Sequence, residues 1–345
     1  ATTSDRFIMA WHLTRLLPTQ LLRRLPVAWT LWLGLLLFVP LHGHAADCRP
    51  VAAADDARDA GSRATPGAAA RKPGADKRQD FSRGLLWRIE TPGIAPSHLF
   101  GTYHTNDPRI TTLPCPVKDV FDRASSYTME VITNGAGIVS MAEAMFFSDG
   151  KTLKDVLGEP LYQETLRAIG ATETARAGGI NNMKPWAVMM TLSAPRAGRG
   201  LFLDMALQYD ATQRGKPTYG LETMQEQIAV FNGMSLEDQV ILLRDAVQNV
   251  QLTQDAMEEL TRAYLRRDLS ALLTLNEKLK PNDGRVYADM MDRLLVQRNA
   301  NMVERMRVRL KEGNAFVAVG ALHLPGETGM LRLLSAAGYR VTRIY

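Results

Sequence analysis

Two stretches, SHLFGTYH (97–104) and AFVAVGALH (315–323), decide the fold. In each, a short apolar run reaches a glycine, and a histidine follows three residues later, at His104 and at His323. Runs of this length and composition read as buried strands, here over 97–102 and 315–321. The glycine reads as the residue that frees the backbone to turn away, and the histidine then stands at the strand's carboxyl end, where open α/β sheets place ligands. Working outward, LLWRIE (85–90), SYTMEV (126–131), KPTYGLE (216–222) and YRVTRIY (339–345) give four more strands. Helical periodicity falls at 115–125, 159–169, 183–195, 203–214, 235–249 and 252–265, and in one long helix over 284–312. Strands cluster toward both ends. The expected fold is therefore α/β (α+β), with a mixed β-sheet core formed by the N- and C-terminal thirds and a large helical middle. Each half supplies one strand-end glutamate and one strand-end histidine, which suggests a pseudo-twofold arrangement.

The first 80 residues read differently. Val27 to Leu41 (VAWTLWLGLLLFVPL) is apolar, follows Arg15, Arg23 and Arg24, and precedes the small residues Gly43, Ala45 and Ala46. That pattern is a signal peptide over 1–45, too short and too soon closed by Pro40 for a retained span. Residues 46–80, rich in Ala, Gly, Pro and charges of both signs, bury too little apolar surface to fold and read as a disordered linker. The folded unit is expected over 81–345, in the periplasm or secreted, with the membrane involved only during export. Of the net charge of +5, three charges lie in residues 1–45. No basic stripe with interleaved aromatics remains, so nucleic acid is not expected as a partner. Cys48 and Cys115 lie beyond the cleavage region, where an oxidising compartment lets them pair or leaves them as two thiols.

Once residues 1–45 are set aside, the remaining histidines are His98, His104 and His323. His98 lacks the motif and reads as an ordinary polar residue at a strand start. Two imidazoles at strand ends suit a divalent ion such as Zn, Mn or Co, and a carboxylate completes a three-ligand site open to water. Glu130 and Glu222, each ending an apolar run, are the candidates; one ligates and the other acts as general base. The plainer alternatives are a solvent-facing strand edge for Glu130 and a first-turn helix position for Glu222. Arg298 interrupts the series Val286, Met290, Leu294, Met302, Met306 and Leu310. It points to the packed side, to pair with a glutamate or stabilise an oxyanion, unless its stem snorkels to solvent. Phosphate-loop, HExxH, GxSxG and CxxC signatures are absent.

Read together, LFGTYH (99–104), TMEV (128–131), MKPW (183–186), KPTYGLETMQEQ (216–227), QRN (297–299) and FVAVGALHLPGETGMLRLLSAAGYRV (316–341) resemble the TraB/GumN family, which includes the Tiki metalloproteases. The resemblance spans about residues 84–345. It implies a fold related to the erythromycin-esterase and ChaN-like proteins and a metal-dependent hydrolytic centre, with His104, His323 and Glu130 as ligands and Glu222, Arg298 and Glu130 as catalytic groups. The family's acidic position between the KPW and GLET motifs is met only loosely, by Asp204. The expected function is a periplasmic or secreted, peptidase-like hydrolase acting on a peptide or small molecule. The alternative is a non-catalytic envelope protein that uses the same pocket for ligand binding or regulation.

Overall fold

The structure, a computed structural model, describes Cys48 and residues 80–170, 179–193 and 200–345. The expected signal peptide and all but two residues of the expected linker lie outside the described residues. Six strands form one sheet: β1 (Leu86–Glu90), β2 (Ser97–Thr102), β3 (Ser126–Val131), β4 (Thr218–Glu222), β5 (Ala315–Gly320) and β6 (Arg340–Arg343). Each falls within a stretch read as a strand from sequence. The sheet order is β4-β3-β5-β2-β1-β6. The four strands β4, β3, β5 and β2 run parallel, while β1 is antiparallel to both β2 and β6. β5 lies at the centre and is buried along almost its whole length, as its continuous apolar run requires. The N- and C-terminal thirds meet at the β2–β5 pair, where Thr102 stands opposite Gly320. This makes the fold α/β with a mixed sheet.

The echo between the two halves takes a different form from a twofold. The two histidine strands, β2 and β5, are parallel neighbours, and so are the two glutamate strands, β3 and β4. Parallel neighbours are related by a sideways step, so all four carboxyl ends share one edge of the sheet.

Helices fill the connections: α1 (Cys115–Arg123), α2 (Gly135–Ala144), α3 (Leu153–Ile169), α4 (Pro185–Ser193), α5 (Leu203–Gln213) and α6 (Met224–Asn232). They continue with α7 (Leu236–Gln248), α8 (Val250–Leu265), α9 (Leu269–Lys278), α10 (Gly284–Met291), α11 (Gln297–Glu312) and α12 (Met330–Ala336). Helix α3 begins earlier than its periodicity suggests, because a Thr152–Asp155 capping box starts one turn before Gly158, whose φ of 71° breaks the regular pattern. The expected long helix over 284–312 is two helices, separated by a π-turn at Asp292–Val296. The extra residue in a π-turn rotates the helical face, so the four-residue apolar series does not form one stripe.

Among the described residues, two packed regions are the largest. The sheet core gathers Trp87, Phe100, Phe121, Tyr127 and Phe316, with the Phe121 and Phe316 rings edge to face at 5.3 Å. A second core lies among α3, α4 and α7, around Leu153, Leu166, Trp186 and Leu243. The MKPW segment belongs to this second region: Trp186 stacks on Phe231 at 5.1 Å, and Trp186 Nε1 and Lys184 Nζ both donate to Asn232 Oδ1 at 3.0 Å. Cys48 and Cys115 are joined in a disulfide at the start of α1, which settles the pairing that the sequence left open. Among the described residues, no helix is long and apolar enough to cross a membrane.

Candidate active site

The parallel strands bring the sequence candidates to one edge. β2 is followed by His104, β3 carries Glu130, β4 ends in Glu222, and β5 runs through Gly320 into a 3-10 turn, Ala321–His323. The two Gly-x-x-His motifs touch each other. A methyl group built on Gly101 would lie 2.7 Å from Leu324 Cδ1 and 3.2 Å from Ala321 Cα. One built on Gly320 would lie 3.4 Å from Glu130 Oε1, 3.5 Å from His323 Cδ2 and 4.0 Å from His104 Nε2. Neither glycine has a positive φ; Gly320 sits at −54°, open to any residue. The reading that these glycines free the backbone to turn is therefore corrected: they make room, Gly101 for the second motif and Gly320 for the groups of the site.

Arg298, in the first turn of α11, ties the two glutamates together. Its Nε donates to Glu222 Oε1 at 2.9 Å, and its Nη2 donates to Glu222 Oε2 and to Glu130 Oε2, each at 2.6 Å. Nη1 reaches back to the Leu294 carbonyl at 3.2 Å, inside the π-turn. Side-chain exposures of 13% for Arg298, 10% for Glu130 and 4% for Glu222 exclude both a snorkelling arginine and a solvent-facing Glu130. Thr223 is the N-cap of α6 and forms a capping box with Glu226, so Glu222 precedes the helix rather than occupying its first turn. A buried triad of this kind is costly to break, because any one deletion strands a charge.

Charge states follow from these contacts. Burial opposes the charge of Arg298, but the hydrogen bond to Glu222 and the attraction of Glu130 outweigh it and raise the pKa. Burial also opposes ionisation of Glu130; the neighbouring His323, Arg298 and His104, with the Gly320 N–H at 2.6 Å, nonetheless bring its pKa down to about 2. Burial keeps His323 below the ordinary imidazole value. At neutral pH, then, the pull on Glu130 comes from Arg298, His104 and the amide rather than from a charged His323.

The two histidines differ in surroundings. His323 is 5% exposed, and its Nδ1 lies 2.6 Å from Asn299 Oδ1. The His104 side chain is 65% exposed, and its Nδ1 meets Asp204 Oδ2 at 2.8 Å. The Asp204 carboxylate raises His104 to about 9, against the opposing effect of desolvation. Asp204 is buried in the first turn of α5 and also accepts a hydrogen bond from Thr102. The loose match at Asp204 thus has a definite place beside His104. Asn299 and Thr102 have no signal of their own in the sequence, apart from the position of Asn299 next to Arg298.

A family model described as the TraB/PrgY/gumN family matches residues 85–343. The chain belongs to this family. Among its relatives, Metalloprotease TIKI2 of Danio rerio is 24% identical over 317 residues, covering 76% of this chain and 61% of that protein. Metalloprotease TIKI2 of Xenopus tropicalis is 26% identical over 322 residues, covering 78% of this chain and 61% of that protein. Uncharacterized protein YbaP of Escherichia coli (strain K12) is 26% identical over 255 residues, covering 71% of this chain and 90% of that protein. The chain thus spans about six-tenths of the length of the TIKI relatives. No solved structure matches it.

The metal that the metalloprotease relatives suggest can be tested against the donors present. Among the described residues, no three His, Cys, Asp or Glu side chains already stand close enough to close around an ion. The expected set of His104, His323 and Glu130 is therefore gathered but not clasped, because Glu130 is turned to Arg298 and the Gly320 N–H. The donor chemistry nevertheless fits. Each imidazole has its Nδ1 engaged by an oxygen partner, the arrangement that orients metal-binding histidines, and both rings border the space left open at Gly320.

Proposed function

We propose that the chain is an exported, metal-dependent hydrolase of the TraB/PrgY/GumN family that cleaves a peptide or another amide or ester bond in the periplasm or outside the cell. One observation carries the reading: His104 and His323, each held at Nδ1, flank Gly320 together with ionised Glu130. The metalloprotease names of the TIKI relatives and the apolar stretch at 27–41 support it from outside the site.

In this reading, His104 and His323 hold a Zn, Mn or Co ion through Nε2, with Glu130 as third ligand. The ion, when bound, supplies a water of lowered pKa and a Lewis acid for the scissile carbonyl. Arg298 is committed to two carboxylates, so its part is to hold Glu130 ionised and in place. Glu222, gripped at both oxygens by Arg298, completes that support. His104 borders the open side, so substrate enters over its ring.

The test is hydrolysis of a mixed peptide library by the full chain, stripped with a chelator and then supplied with Zn, Mn or Co. Cleavage that is lost on stripping and restored by one of these ions is the expected result. Cleavage indifferent to the chelator would remove the metal from the account. No cleavage with any ion, together with a small molecule that copurifies, would favour the non-catalytic ligand-binding alternative.

A further inference from the structure

We infer that Asn299 and Asp204 are positioning residues that decide which ring nitrogen of His323 and of His104 faces the site. This deepens the proposed function, and its metal arm rests on that reading. Asn299 is 2% exposed, one residue after Arg298 on α11. Its Nδ2 donates to the Thr328 carbonyl at 2.9 Å. A carbonyl can only accept, so the amide nitrogen must face Thr328 and Oδ1 must face His323. The proton of a neutral His323 ring then sits on Nδ1, where it is donated to Oδ1 across 2.6 Å. Nε2 is left with its lone pair, 3.6 Å from Glu130 Oε1. Glu130 Oε1 already accepts from the Gly320 N–H at 2.6 Å, so the Nε2 lone pair is the group left to receive a proton donor or a cation.

Asp204 orients the His104 ring with a carboxylate in place of an amide. Its Oδ1 is occupied by Thr102, which fixes Oδ2 toward the ring, so Nδ1–H points at Asp204 and Nε2 points at the space beside Gly320. The choice of partner follows location. An aspartate at 299 would set a carboxylate oxygen against the Thr328 carbonyl and add a charge beside Glu130 and Glu222, which already share one arginine. Position 204, at the head of α5 and next to an open histidine, tolerates the charge. Successive residues of one helical turn thus serve different partners, Arg298 the two carboxylates and Asn299 the second imidazole.

The experiment is nitrogen-15 NMR of the histidine rings in the metal-free full chain at neutral pH, followed by titration with Zn2+ alone. The inference expects a neutral His323 with its proton on Nδ1 and an exchange of that preference toward Nε2–H in Asn299→Leu. It also expects zinc affinity lowered about 10–100-fold in Asn299→Leu and in Asp204→Ala. A His323 that carries its proton on Nε2, or on both nitrogens, in the wild-type chain overturns it whether or not the variants fold. Zinc binding by the wild type with unchanged affinity in both variants also overturns it while leaving the proposed function standing. The expected tautomer with no zinc bound at all supports the positioning roles and refutes the metal reading instead.

Discussion

The sheet edge and the helical layer of α3, α4 and α7 both contain buried side chains, but they use polar groups in opposite ways. In the helical layer, Trp186, Leu153 and Leu243 are almost wholly buried, and the indole N–H and Lys184 are satisfied by a single amide, Asn232. At the sheet edge, three ionised groups, Glu130, Glu222 and Arg298, are buried against each other with two imidazoles beside them. Burial of charge is costly unless every charge is paired. A fold keeps such an arrangement where chemistry needs it, and strained or perturbed groups concentrate at functional sites for that reason.

The largest effects should come from Arg298→Met and Trp186→Ala, each costing about 3–5 kcal/mol in urea unfolding, and they should separate the two regions. Arg298→Met leaves two carboxylates unpaired, so adding Glu130→Gln and Glu222→Gln should recover most of the loss. Trp186→Ala leaves a cavity, and no polar substitution at the sheet edge should recover it. Equal recovery in both backgrounds would erase the distinction between the regions.

Gly101→Ala comes next. Its methyl group meets Leu324 and the Ala321 backbone, so it should cost about 1–3 kcal/mol and displace the second histidine motif. Unfolding midpoints and metal affinity would both register the change, whereas Gly170→Ala, with open space around a Cβ but a φ of 66°, should affect stability alone.

The last effect vanishes at neutral pH and grows only in acid. Burial first, and then the charges of Arg88 and Arg123, hold His98 down to about 4. Its folded pKa is thus below the unfolded value, so the unfolded chain takes up the proton first. The His98 contribution to stability should fall as pH drops from about 6.5 toward 4 and stay flat above that window, where the raised His104 instead loses its contribution as pH climbs from about 6.5 toward 9. His98→Gln should remove the acid part of the slope while leaving the site untouched.

The strands were legible because each is a short apolar run, and the strand ends were legible because a glycine precedes each histidine. The broken helix was not legible, since Asp292–Val296 contains neither Pro nor Gly and a π-turn needs neither. The two glycines were recognised for the wrong reason, because close approach between motifs more than 200 residues apart leaves no local mark. The same holds for Asp204 and Asn299, whose partners lie 100 and 24 residues away. Glu130, Glu222, Arg298 and the two histidines could be found one at a time in the sequence; only the fold shows that Arg298 binds both glutamates at once.

The most direct test of the central claim is the metal content of the full chain by elemental analysis, wild type beside the double variant His104→Ala/His323→Ala. The account predicts one equivalent of Zn, Mn or Co per wild-type chain after exposure to these ions, and none retained by the double variant. Metal retained equally by both, or absent from both, would contradict it.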